Sequence, residues 1–324
     1  MSELRQIQEP VAAHLDAFEK HFRLAMQNKV PLLNTILHYI LRHKGKHLRP
    51  LFVFLSAQLC GQVNDTTFTA ATLVELLHTA TLVHDDVIDA SYERRGVFSV
   101  YALWKSKIAV LVGDYLLSRG LLIALDHKEY ELLHTVSDAV REMSEGELMQ
   151  LKHARDFSVT EEKYFSIISK KTASLISACT TCGAQSAKAP ADMAEKMKLF
   201  GLYAGIAFQL KDDLFDYQNN SLTGKPRGND IKEKKLSLPL IYALENSLSS
   251  ERSAIRKEIK NSNGSSRNIA DIIRFAHKKG GVSYTEKMLE HYKKQAVDIL
   301  LHFPESDSRR SLIKLTEYII DRKR

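Results

Sequence analysis

Apolar positions recur at helical spacing along nearly the whole chain. Residues 3–26 show it first, and residues 31–43 follow with Val30, Leu32, Leu33, Ile36, Leu37, Ile40 and Leu41, Pro31 standing at the helix start. GKHLRP (45–50) breaks the pattern and LFVFLSAQLC resumes it. Further helices are predicted at 67–90, 99–125, 128–152, 161–187 and 191–219. A polar loop punctuated by Gly and Pro, GKPRGNDIKEKK (224–235), precedes a return to helix in LSLPLIYALENSL. NSNGSS (261–266) reads as a turn, and three shorter helices close the chain near 267–279, 282–302 and 308–321. No strand-like alternation of useful length occurs, nor any repeat at a fixed period. The apolar runs are too continuous for helices with one wet face, so several helices should be central. The pattern predicts a single all-α domain over residues 1–324, a large helical bundle around a central cavity.

Composition agrees with this. Hydrophobic residues make up 44% of the 324, while Gly and Pro together number 14 + 7 = 21, so breakers are few and a sizeable core can be buried. The net charge of +7 comes from basic residues that are scattered or sit beside acidic clusters, not from an aromatic-interleaved patch. Nucleic acid is therefore not the expected partner, and small anionic substrates account for the charge as well. Cys60, Cys179 and Cys182 form no disulfide framework, and MSELRQIQEP has no signal-peptide pattern, so a reducing, cytoplasmic location is expected. The CxxC of Cys179 and Cys182 lies in an apolar helical run with no second pair, which reads as packing and not as zinc or redox chemistry. No stretch of eighteen or more uncharged apolar residues occurs, so no membrane span is expected.

The chemistry begins in ELLHTATLVHDDVIDASYERRG (75–96), where Asp85, Asp86 and Asp89 follow about three turns of mostly apolar sequence. On a helix Asp85 and Asp89 point the same way and Asp86 lies about 100° round from them. Carboxylates so close repel by about 4 kcal/mol per pair at about 4 Å and an effective dielectric near 20, so a cation should hold them. One such DDxxD is more often a solvated acidic helix end. A second copy changes that reading: Asp212, Asp213 and Asp216 in FQLKDDLFD repeat the spacing, again after an apolar run and 212 − 85 = 127 residues later. Two oxygen-rich triads facing across a cleft suit Mg²⁺, which takes one or two carboxylates and leaves its other positions to water or phosphate. Basic residues flank both: Lys46 and Arg49 in GKHLRP, Arg94 and Arg95 after the first triad, Lys171 in KTASL, and Lys225 and Lys235 around the loop after the second. Arg forks and Lys point charges beside metal-binding carboxylates are what diphosphates need.

With its two DDxxD motifs the chain resembles the trans-type polyprenyl diphosphate synthases, from about Gly45 to Pro239. The resemblance implies a Mg²⁺-dependent prenyltransferase that joins isopentenyl diphosphate to an allylic prenyl diphosphate by ionisation, condensation and elimination. It implies that Asp85, Asp86, Asp89, Asp212, Asp213 and Asp216 serve the metal. Lys46, Arg49, His78 and Arg95 match residues that hold isopentenyl diphosphate. Arg94 matches one that holds the allylic diphosphate, and Lys171, Lys225 and Lys235 match residues that grip it beside the metals. Thr172 and Gln209, with Lys171, match groups along the developing carbocation. His47, Lys44, Lys234 and Asn229 depart from the commoner residues, which touches diphosphate affinity and not the reaction. The resemblance also implies a homodimer, and the helix at 99–125 carries more apolar surface than one bundle face needs. Membrane contact, if any, would be peripheral and serve product release.

Rival readings weigh less. A non-catalytic partner subunit would typically lack the triads, both intact here. A di-metal carboxylate bundle would need Glu and Glu-x-x-His ligands, and a terpene cyclase would have no use for a second DDxxD and the isopentenyl residues. Product length is carried by Ala80 and Thr81, five and four residues before Asp85. In the resembling family a Phe or Tyr at such a position closes a floor under short products, whereas small residues leave the tunnel open. Together with a first motif that has no insertion, this predicts a product beyond twenty carbons for a quinone side chain. A short-chain synthase making farnesyl or geranylgeranyl diphosphate is the alternative.

Overall fold

A computed structural model describes residues 3–43, 45, 47–94, 96–156, 159–217, 229–232, 235–261 and 266–321. The elements are α1 (Glu3–Gln8), a 3₁₀ turn (Glu9–Val11), α2 (Ala12–Ala25), α3 (Pro31–Arg42), α4 (Leu48–Cys60), α5 (Asp65–Ile88), β1 (Glu93–Arg94), β2 (Val97–Phe98) and α6 (Val100–Asp126). They continue with α7 (Tyr130–Asp156), α8 (Glu161–Ile168), a π-helical turn (Ser169–Ala173), α9 (Ser174–Ser186) and α10 (Ala191–Tyr217). The last are α11 (Asn229–Lys232), α12 (Leu238–Glu245), α13 (Ser249–Asn261), α14 (Ser266–Lys278), α15 (Gly281–Leu301) and α16 (Asp307–Asp321). The all-α class predicted from periodicity is the one observed. The chain divides into two compact units. One comprises Met1–Val140, Ala178–Lys198 and Phe303–Leu312; the other comprises Arg141–Ser177, Leu199–His302 and Ile313–Arg324.

The first unit is built on α5 and α6. Asn64 caps α5 by accepting from Thr67 N–H at 3.2 Å, while the Thr67 hydroxyl oxygen accepts in turn from Asn64 N–H. Residues 50–57 of α4 are all buried, which explains why that stretch shows no polar face. Phe18, Phe54 and Phe68 meet edge-on beside it, with ring centroids 5.8 and 5.1 Å apart. Cys179 and Cys182 are free and buried, and burial pushes the Cys179 thiol up to about 12. That is the chemistry of a packing residue.

Between α5 and α6 the predicted linker is a small antiparallel hairpin, with Glu93 opposite Phe98 and Arg94 opposite Val97. It is two residues deep, too short for alternation to reveal. Ser99 ties it down, donating its hydroxyl to Ser91 O (2.6 Å) and accepting from Ala102 N–H as the cap of α6. An 18-residue window of α6 has mean hydropathy 1.8, so by length and composition this helix could cross a membrane, although scattered charges keep it from the uncharged run sought in the sequence. Its Ala109, Val112, Leu116, Gly120, Ile123 and Ala124 are buried, as in a core helix. Leu103, Val110, Leu111, Leu122 and Leu125 stay exposed on the other side.

In the second unit, α12 packs against α8, α14 and α15. Tyr217 at the end of α10 shares a hydrogen bond with Ser237 (2.9 Å), and His277 of α14 bonds Tyr217 O (2.8 Å). The predicted helix 161–187 is helical from Glu161 to Ser186, and within it the π-helical turn takes in one extra residue, which leaves no trace in the apolar pattern. The sequence reading passed over α13, because among its described side chains only Ile259 is buried and its polar run lacks a stripe.

Candidate active site

The π-helical turn presents Lys171 and Thr172, and it can do so because two neighbouring helices come close to its backbone. A Cβ on Gly146 of α7 would stand 2.7 Å from Lys171 N, and one on Gly205 of α10 would stand 2.5 Å from Ala173 Cα. Only glycine allows either approach. The turn is thus clamped between α7 and α10, and π-turns of this kind are frequent at functional sites.

Lys171, Thr172, Gln209, Asp213 and Lys235 line one cavity of about 130 Å³ in the second unit. These five were all singled out in the sequence, and the fold gathers them from three segments, the π-helical turn, α10 and the residues just before α12. Thr172 Oγ1 donates to Gln209 Oε1 (2.8 Å), and Gln209 Nε2 donates to Asp213 Oδ1 (2.9 Å). The other Asp213 oxygen accepts from Tyr164 Oη–H (2.6 Å) and from Leu238 N–H (3.4 Å). Burial pushes the Asp213 carboxyl up to about 6, with Asp212 adding to the rise while the three donors hold it back. Asp212 is half-buried and Asp216 buried on the same helix.

The sequence reading missed Glu147, Gln150 and Tyr164. Lys171 Nζ pairs with Glu147 and donates to Gln150 Oε1 (2.6 Å). A signal for them existed: Glu147, Gln150 and His153 form a polar stripe at three-residue spacing, while Leu148 and Leu151 beside them are exposed. On α7 the polar residues face in and the leucines face out, the reverse of an ordinary surface helix.

The first triad and its companions lie in the first unit. Asp85 is half-buried near the end of α5, Asp86 is 4% exposed, and Asp89 is the exposed C-cap. Asp86 accepts from Arg94 Nε at 2.8 Å, an ion pair reaching back from the hairpin. Burial raises the Asp86 carboxyl, Arg94 pulls it down and Asp89 pushes it up. His84, just before the triad, fits its ring where Gly113 of α6 has no side chain, with Nε2 3.2 Å from Val110 O and 3.3 Å from Asp114 Oδ1. His78 is buried and Arg49 half-buried; Lys46, Arg95 and Lys225 lie outside the described residues. Ala80 and Thr81 are both one turn below the triad but on different faces. Four residues of helix bring Thr81 to within about 40° of Asp85, whereas Ala80 is about 140° round. Ala80 is buried on the stripe with Leu73, Leu77 and His84 that α6 packs against.

Hard carboxylate oxygens are the donor chemistry that Mg²⁺ prefers. Among the described residues no three His, Cys, Asp or Glu side chains are gathered closely enough to hold a metal alone.

Comparison with known proteins decides the family. The sequence pattern of the polyprenyl synthetase family matches residues 30–276. The chain belongs to that family. It is an enzyme, a polyprenyl diphosphate synthase, and the prenyltransferases of this family act on prenyl diphosphates. It is 35% identical over 315 residues, 97% of this chain and 96% of the relative, to the all-trans-nonaprenyl-diphosphate synthase (geranyl-diphosphate specific) of Rhodobacter capsulatus. Among solved structures, a decaprenyl diphosphate synthase from Rhodobacter capsulatus superposes with TM-score 0.93 at 32% identity, covering 100% of both chains. A geranylgeranyl pyrophosphate synthase from Bacteroides thetaiotaomicron reaches TM-score 0.84 at 36% identity, over 99% of this chain and 100% of that one.

Proposed function

We propose that this synthase elongates an allylic diphosphate with isopentenyl diphosphate to a product beyond twenty carbons, of the length used for quinone side chains. The observation that carries the chemistry is the second unit's cavity, where a lysine, an oriented Thr–Gln pair and a buried carboxylate share one wall. The six aspartates of the two triads serve Mg²⁺, with Asp85, Asp89 and Asp212 offering the more accessible oxygens. When bound, Mg²⁺ neutralises the allylic diphosphate and so makes it a leaving group.

The residues divide the remaining work. Lys171, Lys225 and Lys235 hold the allylic diphosphate, with Arg94, and Lys46, Arg49, His78 and Arg95 hold isopentenyl diphosphate. The allylic C–O bond breaks with its electron pair leaving on the diphosphate. The double bond of isopentenyl diphosphate then attacks the cationic carbon, and a proton is lost to the departed diphosphate. Lys171, Thr172 and Gln209 face the developing cation, and Ile167 and Ile168 on the cavity wall keep out the water that would quench it. Product length rests on Ala80 and Thr81 being small and on the nonaprenyl and decaprenyl enzymes that the chain is similar to. The enzyme works as a cytoplasmic homodimer, for which the exposed leucines of α6 supply an apolar face.

The likeness to a geranylgeranyl pyrophosphate synthase favours a second reading, a short-chain product. One assay separates them: labelled isopentenyl diphosphate, farnesyl diphosphate and Mg²⁺, with the products sized by chromatography. Products that stop at twenty carbons or fewer would refute the long-chain reading, and no incorporation at all would refute the site assignment.

A further inference from the structure

We propose that Tyr164 is a positioning residue that anchors Asp213 as the terminal acceptor of the hydrogen-bond chain Thr172–Gln209–Asp213, holding Oδ1 toward Gln209 so that Thr172 presents lone pairs and not a proton to the cavity. The proposal rests on the reading above that the cavity is where the allylic cation forms.

The argument is one of donors and acceptors. An ionised carboxylate can only accept. Tyr164 Oη–H and Leu238 N–H both donate to Asp213 Oδ2, at 2.6 and 3.4 Å, which anchors the carboxylate from behind and turns Oδ1 to Gln209. Facing an acceptor, the Gln209 amide must present its nitrogen, at 2.9 Å, and its oxygen is then directed at Thr172. Facing that oxygen, Thr172 must donate, at 2.8 Å. A threonine hydroxyl has one proton. With that proton engaged, the side of Thr172 Oγ1 turned to the cavity carries the negative end of its dipole.

A hydroxyl free to rotate would reorient only as positive charge develops. One whose direction is set beforehand stabilises that charge without reorganising. Tyr164 is suited to set it, because it is 4% exposed and held on α8 immediately before the π-helical turn that carries Thr172. The same direction cannot be read from the residue types, since threonine and glutamine each donate and accept.

The test compares wild type, Tyr164→Phe, Thr172→Val and the double variant. Tyr164→Phe keeps the ring and loses only the donor. We expect kcat to fall by about a hundredfold in each single variant, the lower end of what removal of one oriented transition-state dipole costs, with KM for either substrate within about twofold. The double variant should be within about threefold of the worse single, since both remove one coupled element. Calorimetry supplies a readout apart from turnover. A prenyl diphosphate analogue bearing an ammonium where the cation develops should bind each single variant at least about tenfold more weakly than wild type. The thiolo-diphosphate of the same length and no added charge should bind within about twofold. Equal binding of the ammonium analogue to wild type and variants overturns the proposal, as does equal weakening of both analogues. Recovery of Tyr164→Phe turnover at high Mg²⁺ also overturns it, because Tyr164 would then act through the metal. Should Tyr164→Phe not fold, the two analogues measured on Thr172→Val decide alone. If wild type incorporates no isopentenyl diphosphate, it is the reading of the reaction that fails, and this is seen before any variant is made.

Discussion

Gly113→Ala tests whether the first aspartate triad depends on how α5 is registered against α6. The added methyl carbon would lie 2.2 Å from His84 Nε2, 2.4 Å from Cδ2 and 2.8 Å from Cε1. Ordinary contact begins near 3.4 Å, so the ring must move by 3.4 − 2.2 = 1.2 Å. Val110 O can only accept, so His84 Nε2–H donates to it, and that 3.2 Å bond is lost in the move. Losing the bond costs about 0.5–1.5 kcal/mol, and the exposed contact to Asp114 adds little. Replacing a helical glycine by alanine returns about 0.8–1.0 kcal/mol. Stability should therefore change by less than about 1 kcal/mol, a few degrees of Tm at most. Activity should respond far more, because His84 is followed at once by Asp85 and Asp86, and a displacement of about 1 Å in positioning groups can cost about a hundredfold. The assay is kcat/KM at several Mg²⁺ concentrations alongside thermal unfolding. We expect a loss of about a hundredfold with a raised Mg²⁺ requirement and a nearly unchanged Tm. In Gly113→Ala/His84→Ala the methyl meets no ring, so the pair should behave as His84→Ala alone. Wild-type kcat/KM in Gly113→Ala, or additive losses in the pair, would refute the registration argument.

Three further outcomes follow from the site and the surface. Asp85→Ala and Asp212→Ala should each lower turnover at least about a hundredfold, roughly 2.7 kcal/mol of transition-state stabilisation; near-normal rates with saturating Mg²⁺ would remove these residues from the metal's service. Ala80→Phe places a ring on the buried stripe that α6 packs against, so it should cost about 1–3 kcal/mol of stability and shorten the product, and sizing of the labelled chains checks this. Sedimentation should find a dimer at micromolar concentration, and Leu111→Asp on the exposed side of α6 should shift it toward monomer; a wild-type monomer would count against the apolar face as an interface.

Much of this protein was legible in the sequence because helix formation leaves a local record. Apolar spacing located α3, α6, α7, α10 and α15 to within a few residues, and the buried run 50–57 announced a central helix. The paired DDxxD motifs, with the basic residues around them, pointed to diphosphate chemistry, since few other functions need so many carboxylates and cations in that order. The resemblance to the polyprenyl diphosphate synthases, together with the residue types, named the five predicted groups that line the cavity.

What tertiary structure decided is how those groups face one another. Asp213 sits in a DDxxD like any other carboxylate in the motif, yet both its oxygens are engaged, by Gln209 on one side and by Tyr164 and Leu238 on the other. Asp86 is likewise turned to Arg94 while Asp89 of the same triad stays exposed. The π-helical turn under Lys171 and Thr172 depends on backbone approach at Gly146 and Gly205, 25 and 33 residues away in sequence (171 − 146 and 205 − 172). Glu147 and Gln150 became site residues only because α7 turns its polar stripe inward. Periodicity reports which side of a helix is buried and not what it is buried against. Hydrogen-bond direction is set by the whole chain of partners, and in this cavity those partners come from α8, the π-turn, α10 and the start of α12.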